Sequence, residues 1–199
     1  MFRKEVLNLP NCITLLRIGI IPALFFLLVS DRRIWSLAIA AVFILAALTD
    51  LLDGYLARRY GNVTTLGKFL DPVADKLLVS TALIIMIPIG RVPAWIVAII
   101  VMRDVLVDGL RGVASLRGIV IPANPLGKRK TLCQLIAVSA LLIHYPVLGI
   151  NAHTVGIVLI YLALVLTVWS GYAYFADFYY LMNRQRAVET GEFSIDKEG

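Results

Sequence analysis

The sequence predicts an all-α integral membrane protein with six transmembrane helices. Hydrophobic residues occupy 60% of its 199 positions, and the mean hydropathy of +0.86 lies outside the range of ordinary globular domains. Apolar stretches long enough to cross the roughly 30 Å of hydrocarbon in a bilayer recur along the chain, each bounded by charged residues, proline or glycine. The six predicted spans are 13–30, 35–59, 67–89, 92–117, 130–149 and 153–182.

The spans form one predicted domain, 13–182, with a different kind of segment at each end. Residues 1–12 mix charged and apolar side chains, a pattern typical of a short amphipathic helix in the membrane interface, although a plain basic anchor explains it equally well. Residues 183–199 are polar and of mixed charge, so we expect a frayed cytoplasmic tail there.

The basic residues predict which side of the membrane the termini occupy. Of the 19 Lys and Arg residues, only Arg32, Arg33 and Arg91 fall in the three loops opposite the termini. Because cytoplasmic loops carry the excess of basic residues, we expect a multi-pass protein of the cell membrane with both termini in the cytoplasm. The net charge of +6 favours contact with anionic membrane lipid at that face, and we expect no nucleic-acid partner.

The cytoplasmic end of the second span carries two aspartates where charge is costly. In a helix that rises about 1.5 Å per residue, Asp50 lies roughly 22 Å from Trp35, just inside the hydrocarbon boundary. The same helical face then carries Asp53, Gly54 and Ala57, which follow at i+3, i+4 and i+7. This face therefore combines carboxylates with nearly bare backbone, against which a flat ligand would fit.

The third span repeats this arrangement close by in the chain. Gly67, Asp71 and Asp75 are spaced four residues apart and so share one helical face. Because only a short turn separates the two helices, we expect an antiparallel pair whose acidic faces converge at the cytoplasmic end. Four carboxylates would then occupy one small space.

Four ionised aspartates are tolerated at such a depth only if cations neutralise them or if some stay protonated. Oxygen donors without nearby His or Cys suit Mg²⁺ or Mn²⁺ rather than zinc, and two divalent cations would balance four charges. A two-ion site is typical of displacement at phosphorus, for which Arg58 is a suitable phosphate ligand. Taken singly, these residues have plainer explanations: helix packing for an aspartate or glycine, and a boundary marker for the arginine.

The spacing of these residues resembles the signature of the CDP-alcohol phosphotransferase family. The matching string is Asp50-x2-Asp53-Gly54-x2-Ala57-Arg58-x8-Gly67-x3-Asp71-x3-Asp75. The resemblance implies that Asp50, Asp53 and Asp71 hold metal ions. It makes Asp75, which is also able to contact metal, the base that takes the proton from the attacking hydroxyl. The nucleotide ligands that it implies are Asp50, Gly54, Ala57, Arg58 and Gly67.

Three further stretches are similar to members of that family whose acceptor is sn-glycerol 3-phosphate. They are NLPNCITLLRI near the start, LGKFLDPVADKLLVSTALI in the middle and LGKRKTLCQ before the fifth span. The resemblance implies transfer of the phosphatidyl group from CDP-diacylglycerol to sn-glycerol 3-phosphate, which gives phosphatidylglycerol phosphate and CMP. It also implies a homodimer, and the helical periodicity does not indicate which helix would mediate it.

The acceptor brings a phosphate of its own, so a separate cationic pocket is expected on the cytoplasmic side. The candidates are Arg103, Arg111, Lys128 and Lys130. The resemblance favours Arg111 and Lys128, and amides at the start of the fifth span also favour an anion. The alternative is that these charges only follow the positive-inside rule or bind lipid headgroups. Asp104 and Asp108 either pair with neighbouring arginines or contact the acceptor hydroxyls.

The ends of the first and last spans complete the candidate residues. Asn11, Thr14 and Arg17 are three apart and share a face. The similarity of that stretch to the family implies that Asn11 and Thr14 face the nucleotide, whereas Arg17 either joins them or pairs with Asp177. The tyrosines near the end of the last span are interpreted as an inner aromatic belt: Tyr172, Tyr174, Tyr179 and Tyr180.

Three alternative functions stay open at this point. The nearest is the same chemistry with another acceptor, such as inositol phosphate, serine or phosphatidylglycerol. A cation transporter is a different class, in which intramembrane acids line an ion path, but it predicts carboxylates spread through the midplane rather than gathered at one edge. The third is a structural membrane protein without activity.

Overall fold

The described residues form a bundle of five helices with one small hairpin. The structure is a computed structural model that describes residues 19, 32–60, 65–119, 121, 125–147 and 149–189, with the backbone alone at 50–60, 65–72, 125, 126, 128, 188 and 189. The helices are α1 (Arg33–Tyr60), α2 (Thr65–Met86), α3 (Ala94–Leu116), α4 (Pro125–Ile143) and α5 (Ala152–Glu189). The hairpin pairs β1 (Pro146–Val147) with β2 (Ile150–Asn151).

The all-α prediction is confirmed, since five of the six apolar stretches are helical within the described residues. The predicted interfacial segment 1–12 and nearly all of the first predicted span lie outside them. Among the described residues, one helix, α5, is both long and apolar enough to cross a membrane. The count of six spans therefore stays a prediction.

Two helices extend beyond the predicted spans. The fifth stretch was predicted to begin at 130, but α4 begins at Pro125, because proline suits the first position of a helix, where its missing N–H is not needed. The polar tail was predicted to begin at 183, but α5 continues through Glu189.

The hairpin occupies the end of the predicted fifth span. The helix α4 ends at Ile143, and His144 adopts a left-handed φ of 59°, which a helix cannot continue. Gly149, with a φ of 81°, then turns the chain between the two strands. At the start of α5, the Asn151 side-chain oxygen accepts a hydrogen bond from the backbone N–H of Thr154 at 3.3 Å, so Asn151 caps that helix.

The core lies between α4, α5 and the middle of α1 to α3. Its largest apolar side chains that are fully buried are Phe43, Ile39, Leu83, Met86, Ile96, Ile100, Leu141, Leu142, Ile160 and Val138. The most extensive helix contact joins α4 to α5. Gly156 permits this approach, because a Cβ there would stand only 2.9 Å from the backbone nitrogen of Leu141.

One end of the bundle is held by a buried arginine in the turn between α2 and α3. Arg91 donates hydrogen bonds to the backbone oxygen of Leu142 at 3.0 Å and to the Ser36 hydroxyl at 2.8 Å. Nearby, Arg33 donates to the backbone oxygen of Pro146 at 3.0 Å. These contacts gather the start of α1, the turn between α2 and α3, and the region where α4 ends. We call this the Arg91 end, and the opposite end the cavity end.

Candidate active site

A cavity of about 360 Å³ opens between the helices on the side away from Arg91. All five helices contribute to its lining, from Ala47 on α1 to Tyr174 on α5. Its charged lining residues are Asp75, Lys76, Arg103, Asp104, Asp108, Arg111 and Lys130. With four basic and three acidic side chains among the described lining residues, this part of the cavity is suited to an anionic ligand.

Asp75 places a carboxylate in this cavity from α2. Its neighbours Ala74 and Leu78 are buried in the core, so their packing determines which way this face of α2 is turned. Asp75 itself is half-buried and lines the cavity. Ala47 lines the same cavity. On α1 it lies one helical turn before Asp50, so the helix segment that carries the acidic residues begins next to the cavity.

A charged cluster joins α3 to α4 and α5 in the cavity wall. The Asp104 carboxylate accepts hydrogen bonds from Lys130 and, at 3.0 Å, from Arg103. The second terminal nitrogen of Arg103 donates to the Ser170 hydroxyl at 2.9 Å. Lys130 is buried, and Arg103 and Asp104 are mostly buried, so removal of the Asp104 charge would leave the other two without this partner away from water. The three residues together carry one net positive charge.

Arg111 is held in a different way, two turns further along α3. Its guanidinium lies over the ring of Tyr174, 5.7 Å from the centroid, a cation–π arrangement. Within the part of the chain whose side chains are described, no carboxylate pairs with it. Asp108, one turn before it, instead pairs with Lys76. As far as the described side chains go, the charge of Arg111 is therefore available to a ligand.

The family model of CDP-alcohol phosphatidyltransferases matches residues 7–169. The chain belongs to this family. The resemblance inferred from the aspartate spacing is thereby confirmed.

Individual members of the phosphatidyltransferase family give a finer comparison. A CDP-diacylglycerol–glycerol-3-phosphate 3-phosphatidyltransferase of Bacillus subtilis is 45% identical, over 85% of this chain and 94% of the relative. A protein of the same name from Rickettsia typhi is 38% identical, over 84% and 95%. A probable phosphatidylglycerophosphate synthase of Mycobacterium tuberculosis is also 38% identical, over 87% and 83%.

The structure brings together four of the predicted site residues of this phosphatidyltransferase. Asp75, Arg103, Arg111 and Lys130 line one cavity, although they come from three helices. The side chains of the other predicted residues lie outside what the structure describes: Asp50, Asp53, Gly54, Ala57, Arg58, Gly67, Asp71 and Lys128, together with Asn11 and Thr14 as whole residues.

The four predicted metal ligands belong to two neighbouring helices of the chain. The expectation of two continuous helices is confirmed, since Asp50 and Asp53 fall within α1, and Asp71 and Asp75 within α2. Carboxylate oxygens at these spacings fit Mg²⁺ or Mn²⁺. The described side chains contain no group of three potential ligands, and three of the four predicted ligands are not among them.

Sequence reasoning missed several polar residues of the cavity, namely Lys76, Ser80, Thr131, Gln134, Ser170 and Tyr174. The interpretation of Tyr174 as part of an aromatic belt was wrong, because it is 4% exposed, whereas Tyr172 is 74% exposed. A signal was present in α5, where Thr167, Ser170 and Tyr174 place a polar group at each turn of an apolar helix. Such a row predicts a face that contacts polar partners.

Proposed function

We propose that the chain transfers the phosphatidyl group of CDP-diacylglycerol to sn-glycerol 3-phosphate, which gives phosphatidylglycerol phosphate and CMP. Its membership of the family and the names of its relatives support the reaction. The observation that carries it in the structure is one cavity that combines the carboxylate of Asp75 with Arg103, Arg111 and Lys130. Such a cavity offers a base for a hydroxyl beside cations for a phosphate.

In this mechanism Asp75 accepts the proton of the primary hydroxyl of the acceptor. The oxygen attacks the phosphorus attached to diacylglycerol, and the bond from that phosphorus to CMP breaks. A carboxylate needs only hydrogen-bond reach of the hydroxyl to act in this way. CMP departs with the new negative charge on its phosphate, and Arg58 on α1 is the side chain assigned to bind this phosphate.

Asp50, Asp53, Asp71 and Asp75 are the proposed ligands of two divalent cations, Mg²⁺ or Mn²⁺. When bound, the cations would neutralise these carboxylates and stabilise the charge that develops on phosphoryl oxygens. Gly54, Ala57 and Gly67 would leave room on the same two helices for the cytidine nucleotide, because their side chains are small or absent.

The phosphate of the acceptor binds at the cationic wall of the cavity. Arg111 is its primary ligand in this proposal, since no described carboxylate competes for it. Arg103 and Lys130 contribute the net charge of the cluster around Asp104. Lys128, in the first turn of α4, is the fourth proposed ligand, near amides that also favour an anion.

The proposed location is the cell membrane, with six spans over 13–182 and both termini and the active site at the cytoplasmic face. The exposed apolar side chains support it. On α5 they include Val158, Leu162, Val165, Trp169 and Tyr172, which follow the i, i+3, i+4 spacing of one continuous face. Water would make such a face costly, whereas lipid or a second subunit would cover it. Contact with anionic lipid and a homodimer belong to the same proposal.

The cavity also bears on the alternative of a cation transporter. Intramembrane acids line a cation path, and in the described part of this cavity the acidic residues stand beside four basic ones. Asp104 and Asp108 are engaged by lysine or arginine. The same chemistry with another acceptor is consistent with this lining and must be distinguished by assay.

The test is CMP release by the purified protein in detergent with labelled CDP-diacylglycerol. The acceptors are sn-glycerol 3-phosphate, inositol phosphate, serine and phosphatidylglycerol, each with Mg²⁺, with Mn²⁺ or after chelation. We expect release only with glycerol 3-phosphate and a divalent cation. Release with another acceptor but not with glycerol 3-phosphate would change the assigned substrate. Equal rates after thorough chelation would remove the metal site.

A further inference from the structure

Two buried polar groups in the cavity have no function in the mechanism above. Gln134 is 3% exposed and Tyr174 is 4% exposed, and both line the cavity. The Gln134 amide nitrogen and the Tyr174 hydroxyl have no hydrogen-bond partner among the described residues. Both groups therefore lie withdrawn from solvent with unused hydrogen-bonding capacity.

Such groups require an explanation, because a buried polar group without a partner destabilises the folded protein. Both belong to helices otherwise rich in apolar residues, where a leucine or phenylalanine would avoid the cost. A polar ligand that enters the cavity would supply the missing partners. Violations of this kind are typical of functional sites.

Their positions relate them to the phosphate ligands. The guanidinium of Arg111 lies over the Tyr174 ring. The Tyr174 hydroxyl is therefore close to this cation, at the edge of the same ring. Gln134 follows Lys130 by one turn on α4, which places both on the same face. An occupant whose phosphate contacts Arg111 and Lys130 would therefore extend towards these two groups.

We propose that Gln134 and Tyr174 bind the secondary hydroxyl of the acceptor and so determine its specificity. The inference rests on the proposed function and deepens it. In sn-glycerol 3-phosphate the primary hydroxyl attacks, while the secondary hydroxyl, on the central carbon, takes no part in the reaction. Its oxygen accepts from the Gln134 amide, and its proton is donated to the Tyr174 oxygen. A site built in this way rejects an acceptor that lacks this hydroxyl, since both protein groups would stay unpaired.

The experiment pairs a substrate without the hydroxyl with proteins without its partners. The substrate is 3-hydroxypropyl phosphate, which keeps the attacking hydroxyl and the phosphate. The variants are Gln134→Leu and Tyr174→Phe, the second of which keeps the ring beneath Arg111. For each protein, kcat/KM is measured with both acceptors, KM is measured for CDP-diacylglycerol, and thermal unfolding is followed in detergent.

We expect the wild type to prefer glycerol 3-phosphate by at least about 100-fold and each variant to lower that preference about tenfold or more. KM for CDP-diacylglycerol should stay unchanged. Gln134→Leu should melt at the same or a higher temperature, because it removes an unpaired polar group. A residue with only a structural role would alter stability without altering the preference.

The outcomes separate the two proposals. If the wild type uses glycerol 3-phosphate but does not prefer it to 3-hydroxypropyl phosphate, or if both variants keep the full preference, the specificity inference is overturned and the proposed function stands. If the wild type releases no CMP with glycerol 3-phosphate, the proposed function fails and the inference fails with it.

Discussion

The two ends of the helical bundle use arginine in opposite ways. At the Arg91 end, Arg91 is 2% exposed and its guanidinium donates to Ser36 and to the backbone of Leu142. At the cavity end, Arg111 is exposed, lies over the ring of Tyr174 and has no described carboxylate partner. The first arginine is occupied by the fold, whereas the second is held in position with its charge available.

In this protein, the groups that an arginine contacts indicate its role better than its degree of burial does. Neutral oxygen acceptors from two other segments make Arg91 a structural link between helix ends. An aromatic face orients Arg111 without neutralising its charge. The cluster of Arg103, Asp104 and Lys130 is intermediate, because its carboxylate holds two cations and leaves one net charge. Substitutions at the cavity end should therefore change catalysis or substrate binding, and substitutions at the Arg91 end should change stability.

The largest expected effect is loss of turnover at the cavity end in Asp75→Asn. Because the amide cannot accept the proton of the attacking hydroxyl, kcat should fall about 10³-fold or more, with an unchanged melting temperature. CMP release at saturating substrates measures it. The matched control is Asp108→Asn, which lines the same cavity but pairs with Lys76, and it should lose less than about tenfold. A similar small loss in Asp75→Asn would refute its role as the base.

The second effect concerns the other end and should appear in stability rather than catalysis. Arg91→Met keeps an apolar stem but leaves the acceptors of Ser36 and Leu142 without their donor, which should cost about 2–4 kcal/mol of unfolding free energy. Thermal unfolding in detergent is the measurement. Arg33→Met is the control, since its exposed side chain makes the bond to Pro146 at the surface, and it should lose less than about 1 kcal/mol. Equal losses would contradict the assigned difference.

The third effect distinguishes binding from folding at the cavity end. Arg111→Ala should raise KM for glycerol 3-phosphate about 10-fold to 100-fold, equivalent to about 1.4–2.7 kcal/mol, with little change in melting temperature. KM for CDP-diacylglycerol should be unchanged, and Arg111→Lys should restore part of the affinity because it keeps the charge but not the planar fork. An equal rise of KM for both substrates would show that Arg111 does not serve the acceptor alone.

The difference between the ends also shows what could be predicted from the sequence. The apolar runs predicted the bounds of α1, α2 and α3 to within a few residues, because a long apolar run is visible in the local sequence. The grouping of Asp75 with the basic residues followed from their common position at helix ends on one side. The partner choices did not follow: Asp108 pairs with Lys76 rather than Arg111, and Asp104 joins two cations.

These partner choices depend on how each helix is rotated about its axis, which helical periodicity does not determine when most faces are apolar. Tyr174 illustrates this, since the neighbouring Tyr172 is exposed on the same helix. Arg91 illustrates it at the other end. As a basic residue in a loop it served only as evidence for orientation, and its hydrogen bonds to α1 and α4 depend on packing across the bundle.

The smallest expected effect tests how closely the cavity wall is packed. In Gly171→Ala, the added Cβ would stand 3.1 Å from Cγ and 3.2 Å from Nε of Arg103, so the arginine must shift by a few tenths of an ångström. Its bond to Ser170 should weaken, and KM for glycerol 3-phosphate should rise about threefold. Gly112→Ala is the control, because nothing lies within 4 Å of its added Cβ; alanine should stabilise α3 slightly there and leave KM unchanged. If the two variants had the same KM, the position of Arg103 would not matter for binding, and the acceptor phosphate would depend on Arg111 and the start of α4.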